Sequence, residues 1–98
     1  MNFEIKGVHY KISEATREQL EKKVARFDRL AESIRDFNVI ISKEHTGYTV
    51  EIVVNFNWGG EATRINDSDE QLWPLIDIVF DRVDAKISKE KEKNERKA

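Results

Sequence analysis

Apolar residues alternate, then recur at helical steps, then alternate again along this chain, and those changes of period lay out its elements. Phe3 and Ile5 alternate with Asn2, Glu4 and Lys6, which predicts a short first strand before the turn-former Gly7. Ser13 precedes Glu14, a helix cap with an acid in the first turn. Leu20, Val24, Phe27, Ala31 and Ile34 then follow at steps of four, three, four and three, the spacing of an amphipathic helix. Residues 37–41 form a β-branched run and a second strand. Glu44, His45, Thr46 and Gly47 make a turn. Tyr48, Val50, Ile52, Val54 and Phe56 alternate with mostly polar partners, giving the clearest strand. Residues 57–60 turn again, and 61–66 predict a shorter fourth strand.

From Ser68 the period returns to helix, with Gln71 placed to complete a capping box. Pro74 lacks an N–H and is tolerated only in a first turn, so the continuous helix is expected to begin at 69–71. Leu72, Ile76, Phe80 (or Val79), Val83 and Ile87 form its apolar stripe. Beyond Ile87 the stripe gives way to Lys and Glu, and 94–98 are expected to fray. The order β-α-β-β-β-α predicts an α+β fold. A strand–helix–strand start favours a right-handed crossover between parallel strands, followed by antiparallel hairpins. Each helix has one apolar stripe, so both are expected on one face of a four-stranded mixed sheet.

Composition adds bounds. The 98 residues allow one domain, expected over 1–93. Charged residues are 37% of the chain, so most of the surface is ionised. Cysteine is absent, which removes disulfides and thiolate metal sites from consideration. The N-terminus lacks a secretory layout and no apolar run approaches the roughly 20 residues of a membrane span, so a cytoplasmic protein is expected.

Charge patterning changes the picture more. The formal net charge is −2, yet Arg82, Lys86, Lys89 and Lys93 recur at steps of four, three and four. Such residues share one stripe of a helix. Lys22, Arg26 and Arg29 repeat the arrangement on the first helix, with Lys23 on the same flank. Glu14, Glu18, Glu21, Asp28 and Glu32 occupy the other flank there, as Asp77, Asp81, Asp84, Glu92 and Glu95 do on the second helix. Each helix therefore carries an apolar face, a basic flank and an acidic flank in the same rotational order. Ordinary solvated faces mix their signs. Segregation repeated on two helices points to a basic surface for a polyanion such as RNA, with seven or eight cations lining a groove between the helices and their tips. The order of the helices decides which flanks stay open.

Other candidates are weaker. His9 and His45 have no second ligand at metal-like spacing and read as surface residues. Asp67, Asp69 and Glu70 lack a calcium-loop sequence and read as helix-start acids. Trp58 is a turn aromatic or a core plug, and Trp73 reads as a packing residue more than a base-stacking platform. Gly59-Gly60 reads as a hairpin turn. No nucleophile, acid and base assemble from these residues, so neither an enzyme nor a cofactor or metal is expected.

The order of motifs also resembles a known family. Ile5-Lys6-Gly7 and Ile12-Ser13-Glu14-Ala15-Thr16-Arg17-Glu18 look like its I-x-G and I-T-E-A-L-R-E segments. Lys23, Arg26 and Phe27 fall on its K-x-x-K-L run, and Gly59-Gly60 on a turn common in its short members. Leu75-Ile76-Asp77, Asp81-Arg82-Val83 and Lys89-Glu90-Lys91-Glu92-Lys93 stand for A-I-D, D-K-L and K-x-K-D-K. Over residues 2–93 the chain thus resembles the ribosome hibernation-promoting factors, also called ribosome-associated inhibitors or subunit-interface proteins, in their short form. It departs at Ala85 (often Arg), Lys86 (often Gln), Glu90 (an aromatic or His), Trp73-Pro74 (Tyr-Ala) and Gln71 (Asp), and its Asn55–Trp58 loop is slightly longer.

The resemblance implies a double-stranded-RNA-binding-like fold docked in the small-subunit decoding channel, sterically blocking messenger, transfer RNA and initiation factors during stress or stationary phase. It implies rRNA contacts from Lys22, Lys23, Arg26, Arg29, Arg82, Lys86, Lys89, Lys91 and Lys93; all but Lys91 belong to the basic flanks found above. The implied partners are the small ribosomal subunit and its rRNA, with a separate ribosome-dimerising factor for some short members; off the ribosome the chain is expected to be a monomer. Two other readings compete. A free duplex-RNA module spans about 16 bp and needs a cationic loop or helix start besides the stripes, whereas the second helix here is expected to start acidic. A protein-interaction adaptor, such as a modulator of an alternative sigma factor, would pair the stripes with a partner's opposite charges.

Overall fold

A computed structural model describes residues 1–97, with side chains as far as Glu95. The order is β1 (Asn2–Val8), α1 (Glu14–Val24) with a 3₁₀ segment (Ala25–Leu30), β2 (Ile34–Glu44), β3 (Gly47–Phe56), β4 (Thr63–Asp69) and α2 (Leu72–Lys97). The sheet runs β1-β2-β3-β4. The β1–β2 pair is parallel and the other two are antiparallel, so the four-stranded mixed sheet expected from the crossover is present.

Alternation sets the face of the core. Phe37, Val39 and Ile41 of β2 and Val50, Ile52, Val54 and Phe56 of β3 are all buried. In register, Val39 faces Ile52 and Ile41 faces Val50, so these side chains make one apolar layer. Both helices cover that layer, through Leu20, Val24, Phe27 and Leu30 and through Leu72, Leu75, Ile76, Val79, Phe80, Val83 and Ile87. Phe27, Phe37 and Phe80 meet at the centre, with ring centroids 5.3 Å (Phe27–Phe37), 5.9 Å (Phe37–Phe80) and 6.4 Å (Phe27–Phe80) apart. This trio ties the 3₁₀ segment, β2 and α2 together and fixes α2 over β3 and β4.

Local chemistry accounts for the ends of the elements. The Ser13 hydroxyl accepts from the Thr16 N–H at 3.1 Å and caps α1 as expected. Buried Thr16 is also within hydrogen-bond reach of the Tyr10 hydroxyl at 3.1 Å. Gly59 and Gly60, at φ +82° and +83°, make the β3–β4 turn in the left-handed region that favours glycine. Pro74 lies in the first turn of α2, where its missing N–H costs nothing.

Several boundaries differ from the sequence reading. Ala31 and Ile34 do not extend the first helix: the helix tightens at Ala25, the chain turns at Ala31, and Ile34 opens β2 opposite Phe56. Asn57 secures that exit, its N–H donating to Ser33 O at 2.8 Å and its side-chain amide to Glu32 O at 2.8 Å. Gly7 is inside β1 and not at the turn; a Cβ there would run into Tyr10 O, where the chain folds back, so only glycine fits without a shift. β4 begins two residues later than expected and takes in Ser68 and Asp69. Ser68 consequently meets the Thr49 hydroxyl at 2.9 Å and forms no capping box; Asp69 accepts from the Gln71 N–H at 3.1 Å instead. The helix runs through the segment 94–97 expected to fray, and Ala98 lies outside the described residues. Among the described residues no helix is long and apolar enough to cross a membrane.

Candidate nucleic-acid interface

The 3₁₀ segment rearranges the first basic line. Side chains three apart eclipse in a 3₁₀ helix, so Lys23 continues into Arg26 and Arg29 and not, as an α-helical wheel has it, Lys22 into Arg26. That line faces α2. Lys23 pairs with Asp77; Arg26 lies 3.1 Å from Asp81 and 3.9 Å from Asp84, and Arg29 3.9 Å from Asp84. The acidic flank of α2 thus meets the basic flank of the first helix, and the seam is balanced, three cations to three carboxylates. Exposed pairs of this kind are each worth about 0–1 kcal/mol, so the seam aligns the helices more than it holds them. The continuous groove of seven or eight cations between the helices is not formed.

The opposite flank of α2 stays open and lies over β4. Arg82 reaches down to β4, donating to Asn66 O at 3.2 Å and pairing with Asp67 at 3.3 Å. Lys86 and Lys93 share one carboxylate oxygen of Glu90, at 3.3 and 3.7 Å. Lys89 is exposed with no ion pair among the described residues. Arg82, Lys86, Lys89 and Lys93 therefore stand against Asp67 and Glu90, an excess of cations that the seam lacks. Lys91 is elsewhere: seven residues after Asp84, it sits on the seam flank and pairs with Glu95 at 3.8 Å. Lys22 is exposed without an ion pair among the described residues and belongs to neither line.

At the far end of the open flank, a cleft of about 420 Å³ separates α2 from the β3–β4 loop. Trp58, half-buried, stacks on Phe56 with centroids 4.5 Å apart and planes 12° from parallel. It is both a turn aromatic and a packing residue, the two readings left open above. Trp73 is 45% exposed, so it does not pack as expected. His9 and His45 are exposed, and no group of metal-ligating side chains occurs among the described residues. In β2, Arg35 beside Asp36, with help from Asn2, holds that carboxyl below the usual carboxylate range.

This arrangement, a neutral seam beside an open basic flank, suits a ligand with spaced negative charges. Comparison with known proteins agrees in fold. A ribosomal subunit interface protein from Coxiella burnetii superposes with a TM-score of 0.83 at 22% identity, over 94% of this chain and 99% of that one. The N-terminal domain of Thermus thermophilus Protein Y gives 0.78 at 29% identity, over 91% and 98%. By sequence, the ribosome hibernation promoting factor of Azotobacter vinelandii is 27% identical over 93 residues, 95% of this chain and 85% of that protein. That of Pseudomonas putida is 28% identical over 95 residues, 97% and 91%. Residues 3–95 match the family described as sigma 54 modulation protein / S30EA ribosomal protein, and the chain belongs to that family.

Proposed function

We propose that this protein is a ribosome-associated hibernation factor that binds small-subunit rRNA through the open flank of α2. Arg82, Lys86 and Lys89 are its principal contacts, with Lys93 at the cleft end. The observation that carries the reading is the unbalanced cationic flank on α2, on a chain whose overall charge is −2. The names of its relatives support it. Bound in the decoding channel, the protein would act by occupancy alone, excluding messenger, transfer RNA and initiation factors without chemistry. Lys22, Lys23, Arg26 and Arg29 serve as a second set: phosphates reach the last three by displacing aspartates whose hold is weak. Lys91 contributes from the seam side. Off the ribosome the protein is a monomer, and any pairing of ribosomes falls to a separate factor.

The test is cosedimentation of the purified protein with whole ribosomes and separated subunits, at low and high salt. Binding to the small subunit and the whole ribosome that weakens steeply with salt is expected, because each neutralised phosphate releases counterions. Binding should also be lost when messenger and initiator transfer RNA are bound first. Absence of binding at low salt would reject the ribosomal role and favour a protein partner, as the sigma 54 part of the family description implies.

A further inference from the structure

We infer that the cleft between the β3–β4 loop and α2 receives a single unstacked nucleotide of an RNA strand, with its base against Trp58 and its phosphate on Lys86 and Lys93. This rests on the RNA-binding reading above and adds to it an aromatic subsite at the end of the helix stripe. The cleft is about 420 Å³, within the range of roughly 300–1,000 Å³ typical of small-ligand sites. Its wall holds Trp58, Gly59, Gly60, Lys86, Glu90 and Lys93, a combination of aromatic, unobstructed backbone, cations and acceptor.

Each part has a role. Trp58 is held by its stack on Phe56, so it offers a platform whose orientation is fixed before the base arrives. Gly59 and Gly60 leave the mouth open: a Cβ built on either meets no atom within 4 Å. Glu90 draws the Lys86 and Lys93 ammonium groups to the same carboxylate oxygen, at 3.3 and 3.7 Å, which converges both cations on the cleft wall. A phosphate would take over those ammonium groups and release the Glu90 carboxylate to accept from an exocyclic amine of the base. Glu61 also lines the cleft, so its formal charges balance. Charge alone therefore does not select this place, and stacking must supply the affinity. Bases inside a duplex present no free face to an aromatic side chain, whereas those of single strands do.

The experiment uses the protein carrying Trp73→Phe, so that Trp58 is its sole indole. Its fluorescence and affinity are measured with purified small subunits and with a short single-stranded oligoribonucleotide, alongside Trp58→Phe and Trp58→Ala. Small subunits and oligoribonucleotide should both quench Trp58. Trp58→Ala should bind small subunits roughly 5- to 150-fold more weakly with an unchanged salt slope, as expected for loss of one stacked base. Trp58→Phe should retain most of the affinity, and if the alanine variant does not fold, the quenching of Trp58 decides alone. Wild-type binding to small subunits with no quenching and no loss in Trp58→Ala would overturn the cleft while leaving the ribosomal reading intact. If small subunits do not bind at all, the ribosomal reading fails, and quenching by the oligoribonucleotide still decides the cleft. Quenching by ribosomal proteins and not by RNA would overturn it in favour of a peptide ligand.

Discussion

Lys23, Arg26 and Arg29 each meet an aspartate of α2, whereas Lys89 meets no acid among the described residues. That difference orders their expected contributions. A phosphate contacted by Lys89 gains the full ion pair, but one contacted by Lys23 must first replace Asp77. Lys89→Gln should lower the slope of log affinity against log salt by about 0.7–0.9, the amount of one phosphate contact. Lys23→Gln should lower it by less, which titrations with small subunits over a range of salt would reveal. Equal slopes for both variants would place the seam and the open flank on the same footing. The identities of the cations were legible in the sequence because basic residues at helical steps need no tertiary information to recognise. Their partners were not, since Asp77 and Lys23 are 54 positions apart and meet only through the core between them.

Six residues of 3₁₀ helix decide how the first helix presents its charges. Over so short a segment, α and 3₁₀ periods place nearly the same residues inward: Leu20, Val24 and Phe27 are buried on either reading. The two diverge only afterwards, where Leu30 is buried, Ala31 turns, and Lys23 replaces Lys22 in the line. Ile34 fits the helical spacing by coincidence, since it is the first residue of a strand. A consequence at this scale is that Asp81→Asn with Asp84→Asn should free Arg26 and Arg29 and remove two negative charges from the surface. Binding to small subunits should strengthen several-fold and depend more steeply on salt. Unfolding free energy should change by no more than about 1 kcal/mol for each pair lost. Unchanged binding would remove Arg26 and Arg29 from the interface. At the other end, Gly7→Ala should destabilise the protein by about 1–3 kcal/mol in urea denaturation, because its Cβ would run into the Tyr10 carbonyl and lie 3.3 Å from Ile12 Cδ1. A neutral outcome would show that the β1–α1 connection can shift to make room.

For the whole molecule, the element order and the shared apolar face were legible because the β-branched run of β2 is marked and the alternation in β3 and the stripe of α2 are long and regular. The lateral order of the helices was not, and it is this order that turns two similar charge patterns into one neutral seam and one open flank. Net charge describes neither. The claim that the open flank of α2 grips rRNA is tested most directly by the affinity of Arg82→Glu with Lys86→Glu for small subunits, beside the wild type at the same salt. Circular dichroism would confirm that both proteins are folded. Arg82 and Lys86 contribute no side chain to the apolar core, so the fold should survive. Binding should fall by orders of magnitude, since two attractions to phosphate become two repulsions. Cosedimentation equal to that of the wild type would contradict the account at its centre.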